Sequence, residues 1–292
     1  MAEARTSLAN LAQPGILDPL TAHARFLRLT LRKKADAELV GKLVQQLPAN
    51  FSLVVGFGPR LMKLLGIQAA AMRDFPELQH GIFQMPATDG DLWLWLRAED
   101  RGDLVHQSRY VIAQLKAAFK VADITDAFVY GGGLDLTGYE DGTENPIGEE
   151  AEKIALTDGS GGAAGSSFVA VQKWLHDFDR WNGMGSEEQD HCIGRRRSDN
   201  EELDDAPESA HVKRTAQEAF DPEAFVVRRS MPWTEGEDAG LMFVSFGASF
   251  DAFEALAKNM LGANDDVVDG LFEFTGPVSG NYYWCPPRSF FA

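Results

Sequence analysis

The chain of 292 residues contains only two cysteines, Cys192 and Cys285, which lie far apart in the sequence. Neither belongs to a Cys-x-x-Cys pair, so a disulfide framework, a cysteine-based zinc site and an iron–sulfur cluster are not expected. The six histidines also lack His-Glu-x-x-His or any other close metal-ligand spacing, which argues against a zinc site. We interpret both cysteines as structural thiols in a reducing compartment.

Long apolar runs and an excess of basic residues are also missing. No run of about 18 apolar residues occurs, so no membrane-spanning helix is predicted. The N-terminal segment MAEARTSLANLAQPG lacks the continuous apolar core of a signal peptide, and we expect a cytoplasmic protein. A formal net charge of −17 disfavours nucleic acid, whose phosphates need a basic partner, and disfavours docking on anionic membranes.

Amphipathic strands that alternate with helices dominate what is present. In ARFLRLTLRK, Leu27, Leu29 and Leu31 alternate with polar residues, which predicts a strand with one buried face. FSLVVGFGPRLMKLLG predicts a strand, a glycine turn and a helix, and GLMFVSFGASFDAFEALAKNMLG repeats that order later in the chain. Such strands favour antiparallel sheets covered on one face. We therefore predict an α+β fold made of two ferredoxin-like halves with peripheral helices.

The predicted boundaries are an N-terminal arm over 1–15, a first half over 16–137, a loop and linker over 138–165, and a second half over 166–292. The segment between the halves is rich in Gly, Asp and Glu, and loops of such length inside a compact domain are usually functional or disordered. We interpret the part after Ile147 as a linker. The part before it carries a candidate site.

Three polar residues are candidates for chemistry. Asp141 lies between Gly138 and Gly142 in GYEDGTENP, where glycines permit tight turns and close approach to a planar ligand. By itself this segment is also compatible with an Asx turn that has no chemical role. His211 stands in a polar, turn-like stretch, and Arg228 lies shortly after it in VVRRSMPW. Each of these two residues alone could be purely structural.

Together these segments resemble the dye-decolorising peroxidases, and in particular their bacterial class B members. GYEDGTENP resembles the family's GxxDG signature, and SFVAVQKWLHDFDRWN, IGR, SAHV, RRSMP and FEFTGPVSG follow in the family's order. The resemblance runs from about Gln13 to Trp284 and is densest between Gly138 and Gly280.

The resemblance implies a haem-dependent peroxidase with one haem b per subunit, bound in the C-terminal half. Such an enzyme reduces hydrogen peroxide through a ferryl intermediate and oxidises an aromatic or dye-like small-molecule donor. His211 would be the proximal ligand of the haem iron, and Asp141 and Arg228 would lie on the distal face. The resemblance also implies a homo-oligomer, a dimer or higher.

Further site residues follow from the same resemblance. Glu273 falls where the family has an acidic residue that hydrogen-bonds the proximal imidazole, with Asp269 as the alternative. Arg195 is a candidate partner for a haem propionate, because a guanidinium matches carboxylate geometry. Gly142 belongs to the signature beside the haem. Ser230 stands where the family often has asparagine, and a hydroxyl offers fewer donors than an amide, so peroxide positioning could differ.

Other interpretations remain open at this level. Arg229 replaces a residue that is often acidic in the family, which adds charge near the site or faces solvent, and activity with ordinary dyes could be low. One alternative function is a haem- or porphyrin-handling protein with weak peroxidase turnover. Another is a cofactor-free ferredoxin-like sensor module. The chain has little room for the C-terminal extension that targets some relatives to a protein shell, so we expect a free enzyme.

Overall fold

The first half of the chain forms the strand predicted for ARFLRLTLRK and the strand, turn and helix predicted for FSLVVGFGPRLMKLLG. The computed structural model describes residues 7–47, 52–159 and 163–291. The strands of this half are β1 (His23–Leu31), β2 (Leu53–Phe57), β3 (Leu78–His80), β4 (Phe83–Met85), β5 (Leu92–Ala98) and β6 (Phe119–Phe128). Its helices are α1 (Ala37–Gln45), α2 (Pro59–Leu65) and α3 (Arg101–Leu115). Strands β3 and β4 form a separate small hairpin, and the others pair antiparallel in the order β2–β5–β1–β6.

The second half repeats this arrangement. Its strands are β7 (Ser167–His176), β8 (Val227–Arg228), β9 (Met231–Glu235), β10 (Asp238–Gly247), β11 (Thr275–Pro277) and β12 (Asn281–Cys285). Its helices are α4 (Gly148–Ala155), α5 (Phe178–Gly183), α6 (Ser186–Ile193), α7 (His211–Arg214) and α8 (Asp251–Met260).

The two sheets have the same strand order when the hairpin β3–β4 is left aside. In the first half the order is β2, β5, β1, β6. In the second half the corresponding order is β8 and β9, then β10, then β7, then β11 and β12. In the second half, β8 and β9 pair with β10, β10 pairs with β7, and β7 pairs with β11 and β12, all antiparallel. The predicted pair of antiparallel ferredoxin-like halves is thus confirmed. The residue boundaries that we give for the halves stay a prediction.

The two sheets join at both edges and enclose a core between them. Trp284 of β12 pairs with Phe57 of β2, and Ala127 of β6 pairs with Trp233 of β9. The space between the sheets is filled by aromatic side chains, and Trp93 stacks on Tyr283 across it with 5.9 Å between ring centroids. A second core lies on the outer faces of the sheets, under the helices.

The prediction of sheets covered on one face only is therefore wrong. In β5, Leu92 lies in the outer core and Trp93 in the inner core, and each is at most 1% exposed. In β1, Phe26 and Leu27 divide in the same way. Alternation along a single strand cannot show that its second face is buried, because that face packs against the other half of the chain.

The segment after Ile147 is more than the linker that we predict. Residues Gly148–Ala155 form helix α4, whose Ala151 and Ala155 are buried in the inner core. None of the helices in the described part of the chain has the length and apolar content needed to cross a membrane.

Candidate active site

A deep pocket lies between the outer face of the second sheet and helix α8. It contains about 1040 Å³ of space that no protein atom fills, counted out to its open mouth. Most of its wall is apolar and comes from β10, α8 and the segment before β11: Leu241, Phe243, Phe253, Leu256, Met260, Leu271 and Phe274. The ionisable side chains that line it include Asp135, Asp141, His176, His211 and Arg228.

His211 is presented as the first residue of the single-turn helix α7. Its Nδ1 lies 2.8 Å from Oδ2 of Asp269, whose side chain is fully buried. A carboxylate only accepts hydrogen bonds, so Nδ1 of His211 carries a proton, and in the neutral ring Nε2 then has the free lone pair. Within the described part of the chain Nε2 has no hydrogen-bond partner, and the imidazole lines the pocket. This imidazole is therefore ready to bind a metal ion.

The contact with the imidazole belongs to Asp269, and the prediction for Glu273 is wrong. Glu273 is half-exposed and faces Arg180, with 3.7 Å between its Oε2 and the Nη2 of that residue. The cause is the 3₁₀ turn Gly270–Glu273, which follows Asp269 as its N-cap. A 3₁₀ helix has about three residues per turn, so two residues four apart point in different directions.

Asp141 lies in a loop whose turns depend on two glycines. Gly138 has φ +89° and Gly142 has φ +85°, a left-handed conformation that other residues adopt at a cost. The backbone N–H of Asp141 donates to the carbonyl of Gly133 at 3.0 Å. These contacts confirm that the aspartate is held on a tight turn.

The electrostatic surroundings of Asp141 favour its neutral form. Burial of the carboxyl group raises its pKa, the positive charge of Arg228 opposes that effect, and the nearby carboxylate of Asp135 adds to it. A hydrogen bond from Ser230 favours the charged form without reversing the outcome. The net result is a carboxyl group with a raised pKa beside an arginine, which is a common arrangement for an acid–base group.

Arg228 lies on the short strand β8, at the edge of the sheet beside β10. Its guanidinium forms no hydrogen bond or ion pair in the described part of the chain, and its buried Nε is without a partner. A buried donor without a partner is costly, and a bound ligand is one way in which such a donor is satisfied. Ser230 lies two residues further on, is buried, and accepts a hydrogen bond from the N–H of Val244 at 3.4 Å.

Arg195 and Gly142 line a smaller opening that also contacts Asp141, His211 and Arg228. Arg195 already pairs there with two carboxylates, Glu144 at 2.8 Å and Glu202 at 3.2 Å. Its guanidinium thus binds carboxylates at this opening, which is the chemistry expected for a propionate partner. The role of Arg195 toward such a ligand stays a prediction.

Sequence reasoning missed a hydrogen-bonded pair in the same pocket. His176 Nε2 lies 3.1 Å from Oδ1 of Asp135, and His176 Nδ1 lies 2.6 Å from Oγ1 of Thr275. Burial opposes ionisation of Asp135, but hydrogen bonds from His176 and Thr137 outweigh it and lower the pKa of Asp135. The available signal was the period of two in β7, which places His176 on the pocket face with Trp174.

Comparison with known proteins gives matches over nearly the whole chain. The N-terminal domain of Dyp-type peroxidases matches residues 40–129, and the C-terminal domain matches residues 133–290. The second match contains all the ionisable pocket residues named above. A dye-decolorizing peroxidase of Rhodococcus erythropolis is 31% identical, and the alignment covers 97% of this chain and 89% of that protein.

Two solved structures illustrate the similarity in fold. A Rhodococcus jostii DypB variant in complex with heme is 26% identical, with a TM-score of 0.88 and coverage of 98% of this chain and 99% of that one. The encapsulated DyP-type peroxidase of Mycobacterium smegmatis, solved by cryo-EM, is 28% identical, with a TM-score of 0.87 and coverage of 97% and 98%.

Proposed function

Since the chain belongs to the Dyp-type peroxidase family, we propose that it is a haem peroxidase that reduces hydrogen peroxide in this pocket and oxidises a small-molecule electron donor. One observation carries the proposal. The free Nε2 of His211, whose Nδ1 is fixed by Asp269, shares a single pocket with Asp141 and the unpartnered guanidinium of Arg228.

The residues of the pocket fit haem b. The apolar wall suits the porphyrin macrocycle, His211 Nε2 would hold the iron, and Arg195 would face a propionate. Haem is the ligand of the Rhodococcus jostii relative. When bound, the haem supplies the redox chemistry that splits the peroxide O–O bond and takes electrons from the donor. His211 alone would hold the iron, so Asp141 and Arg228 would stay available to bind peroxide.

Asp269 would act on the ligand through His211. The carboxylate accepts the Nδ1 proton at 2.8 Å and so makes Nε2 a stronger electron donor. With haem bound, this stronger donor would favour the chemistry that splits the peroxide O–O bond. This contact also fixes the orientation of the imidazole ring.

Asp141 and Arg228 would handle the peroxide itself. During cleavage one proton must move from one peroxide oxygen to the other. The ionised form of Asp141 can accept that proton and return it, and its raised pKa makes this carboxylate a stronger base. Arg228 supplies a fixed positive charge where negative charge develops. Ser230 would hold Asp141, or a water beside it, with a single hydroxyl.

We extend the proposal to the protein's setting: a cytoplasmic homo-oligomer whose donor is an aromatic or dye-like small molecule. Light scattering on the purified protein gives its mass in solution. A mass of a single chain at micromolar concentration would contradict the oligomer.

Titration of the haem-free protein with haemin tests the function. We expect a Soret band that saturates at one equivalent, followed by turnover of an aromatic donor when hydrogen peroxide is added. Haem binding without peroxide consumption would instead support a haem- or porphyrin-handling protein. A titration with no saturable band would support the cofactor-free sensor module.

A further inference from the structure

We infer that Asn145 is a positioning residue that fixes Arg228 relative to Asp141, so that both act on the same bound molecule. The inference rests on the proposed function and extends it to a residue that contributes no reacting group. It is carried by a pair of hydrogen bonds between the side-chain amide of Asn145 and the backbone of Arg228.

The amide of Asn145 replaces a neighbouring strand. Its Nδ2 donates to the carbonyl of Arg228 at 2.9 Å, and its Oδ1 accepts the N–H of Arg228 at 2.8 Å. In an antiparallel ladder, one residue exchanges both of these bonds with the residue opposite it. On its other side β8 pairs with β10, where Arg228 lies opposite Ser245. Asn145 therefore completes the open edge of the strand that carries Arg228.

The same asparagine is tied to the loop of Asp141. The N–H of Asn145 donates to the carbonyl of Gly142 at 3.0 Å, so a tight turn links it to the residue directly after Asp141. The central residues of that turn are Thr143 and Glu144, and Gly142, with a left-handed φ of +85°, is its first residue. A shift of Asn145 would therefore move the loop and the strand together.

The position of Arg228 depends on its backbone. In the part of the chain that the structure describes, no side chain forms a hydrogen bond or ion pair with its guanidinium. The backbone fixes where this side chain starts, and its own rotamers set its direction from there. The bonds from Asn145 therefore hold the base of the Arg228 side chain at a fixed place beside the pocket.

A second amide joins the same segments from the side of His211. Gln217 is buried, its Nε2 donates to the carbonyl of Glu144 at 3.4 Å, and its Oε1 accepts the N–H of Val226 at 3.0 Å. Gln217 lies in the 3₁₀ turn that follows helix α7. Gln217 thus holds the segment of Glu144 close to the segment of Val226, whereas Asn145 is the residue that contacts Arg228 itself.

Hydrogen–deuterium exchange of the haem-free protein tests the tether itself. In Asn145→Ala, which loses both hydrogen bonds to Arg228, we expect amides in residues 226–230 to exchange about tenfold faster, which corresponds to about 1.4 kcal/mol. Asn281→Ala is the matched control, since Asn281 bonds Thr88 through both ends of its amide and lies away from the pocket. Unchanged exchange over 226–230 in Asn145→Ala would overturn the inference.

A double-mutant cycle on the haem-loaded protein tests the consequence. Fluoride is the probe, and its dissociation constant is read from the absorption spectrum. We expect Asn145→Ala to raise that constant about tenfold in the wild-type background and less than about twofold in the Arg228→Ala background. Equal factors in both backgrounds, or no effect in either, would contradict a role through Arg228. Asn145→Ser, too short to reach both groups, repeats the cycle if the alanine variant does not fold.

The two failures can be told apart. If Arg228→Ala weakens fluoride and Asn145→Ala does not, only the positioning role is wrong. If Arg228→Ala has no effect on fluoride, the distal role proposed for Arg228 is wrong, and the positioning role with it. If no haem binds, the proposed function fails, and the exchange experiment still decides whether Asn145 secures the strand.

Discussion

At the scale of single residues, Asp141 is a carboxyl group whose charged form the fold disfavours. Burial raises its pKa above the ordinary aspartate value, and the charge of Arg228 only partly offsets this. A residue that is kept for chemistry at the expense of stability is a common feature of active sites. The effect of Asp141 on the free energy of unfolding therefore depends on pH.

The first prediction concerns that effect. Above the ordinary aspartate pKa of about 3.9, the unfolded chain releases the Asp141 proton while the folded chain retains it more strongly, so stability falls as pH rises through this window. We expect haem-free Asp141→Asn to be more stable than wild type by about 0.5–2 kcal/mol at neutral pH. The difference should vanish at pH values below the ordinary pKa. Urea unfolding at several pH values measures it, and a difference independent of pH would contradict the explanation.

The second prediction concerns the reaction with peroxide. Loss of a proton carrier typically costs about 10²–10⁴-fold in rate, and loss of a fixed charge about 10²–10³-fold. We therefore expect Asp141→Ala and Arg228→Ala to slow the reaction of the haem-loaded protein with hydrogen peroxide by these factors, as followed by stopped-flow absorbance. Arg109→Ala, an exposed arginine on helix α3, serves as the control. Wild-type rates in both distal variants would exclude the pair from the reaction.

At the scale of elements, the turn Asp269–Glu273 decides which carboxylate serves the imidazole. The segment LFEFTG is compatible with an α-helix, a strand or a 3₁₀ turn. Because each conformation points the acidic side chains in a different direction, the sequence alone left Glu273 and Asp269 as alternatives. The N-cap bond from Asp269 to the N–H of Leu271, at 2.9 Å, selects the turn. Once it forms, Asp269 faces His211 and Glu273 faces solvent.

The third prediction follows from this turn. Asp269→Asn keeps the shape of the side chain but removes the charge that makes His211 a strong donor, so we expect the reduction potential of the bound iron to rise. Glu273→Gln should leave the potential unchanged, because Glu273 is half-exposed and does not contact His211. Spectroelectrochemistry of both haem-loaded variants measures the potential. A shift in the Glu273 variant alone would reverse the assignment.

Periodicity predicted elements well where one face of the element meets one partner. Strand β10 and helix α8 form where GLMFVSFG and SFDAFEALAKNMLG indicate them. The pairing of His176 with Asp135 could not be predicted in this way, because the two residues are 41 apart in sequence and meet only when β7 lies beside the loop. The periodicity of the sequence indicates which face of a strand or helix a side chain lies on. Its hydrogen-bond partner depends on how that element packs against the rest of the fold.

At the scale of the whole molecule, the two halves form one folding unit. Trp93 of the first half contacts Phe246 and Tyr283 of the second, with ring centroids 6.5 and 5.9 Å apart. The echo between the two halves of the sequence predicted the duplication. It could not predict the shared inner core, because the residues of that core alternate with those of the outer core along the same strands.

The fourth prediction tests this shared core. Trp93 is 1% exposed, and truncation of a large buried aromatic residue costs about 3–5 kcal/mol. We expect Trp93→Ala to lower the stability of both halves together, in one cooperative transition. Fluorescence and far-ultraviolet circular dichroism during urea unfolding should give coincident midpoints. Separate transitions for the two halves would show that the cores are independent.

The central claim is that His211 holds a haem iron, and haemin titration of His211→Ala tests it most directly. Because Nε2 of His211 has no hydrogen-bond partner among the described residues and Asp269 holds its Nδ1, we expect the variant to lose the tight, saturable Soret change of the wild type. His106→Ala, an exposed histidine on helix α3, should bind haem as the wild type does. A His211→Ala protein with wild-type haem affinity and an unchanged spectrum would contradict the account.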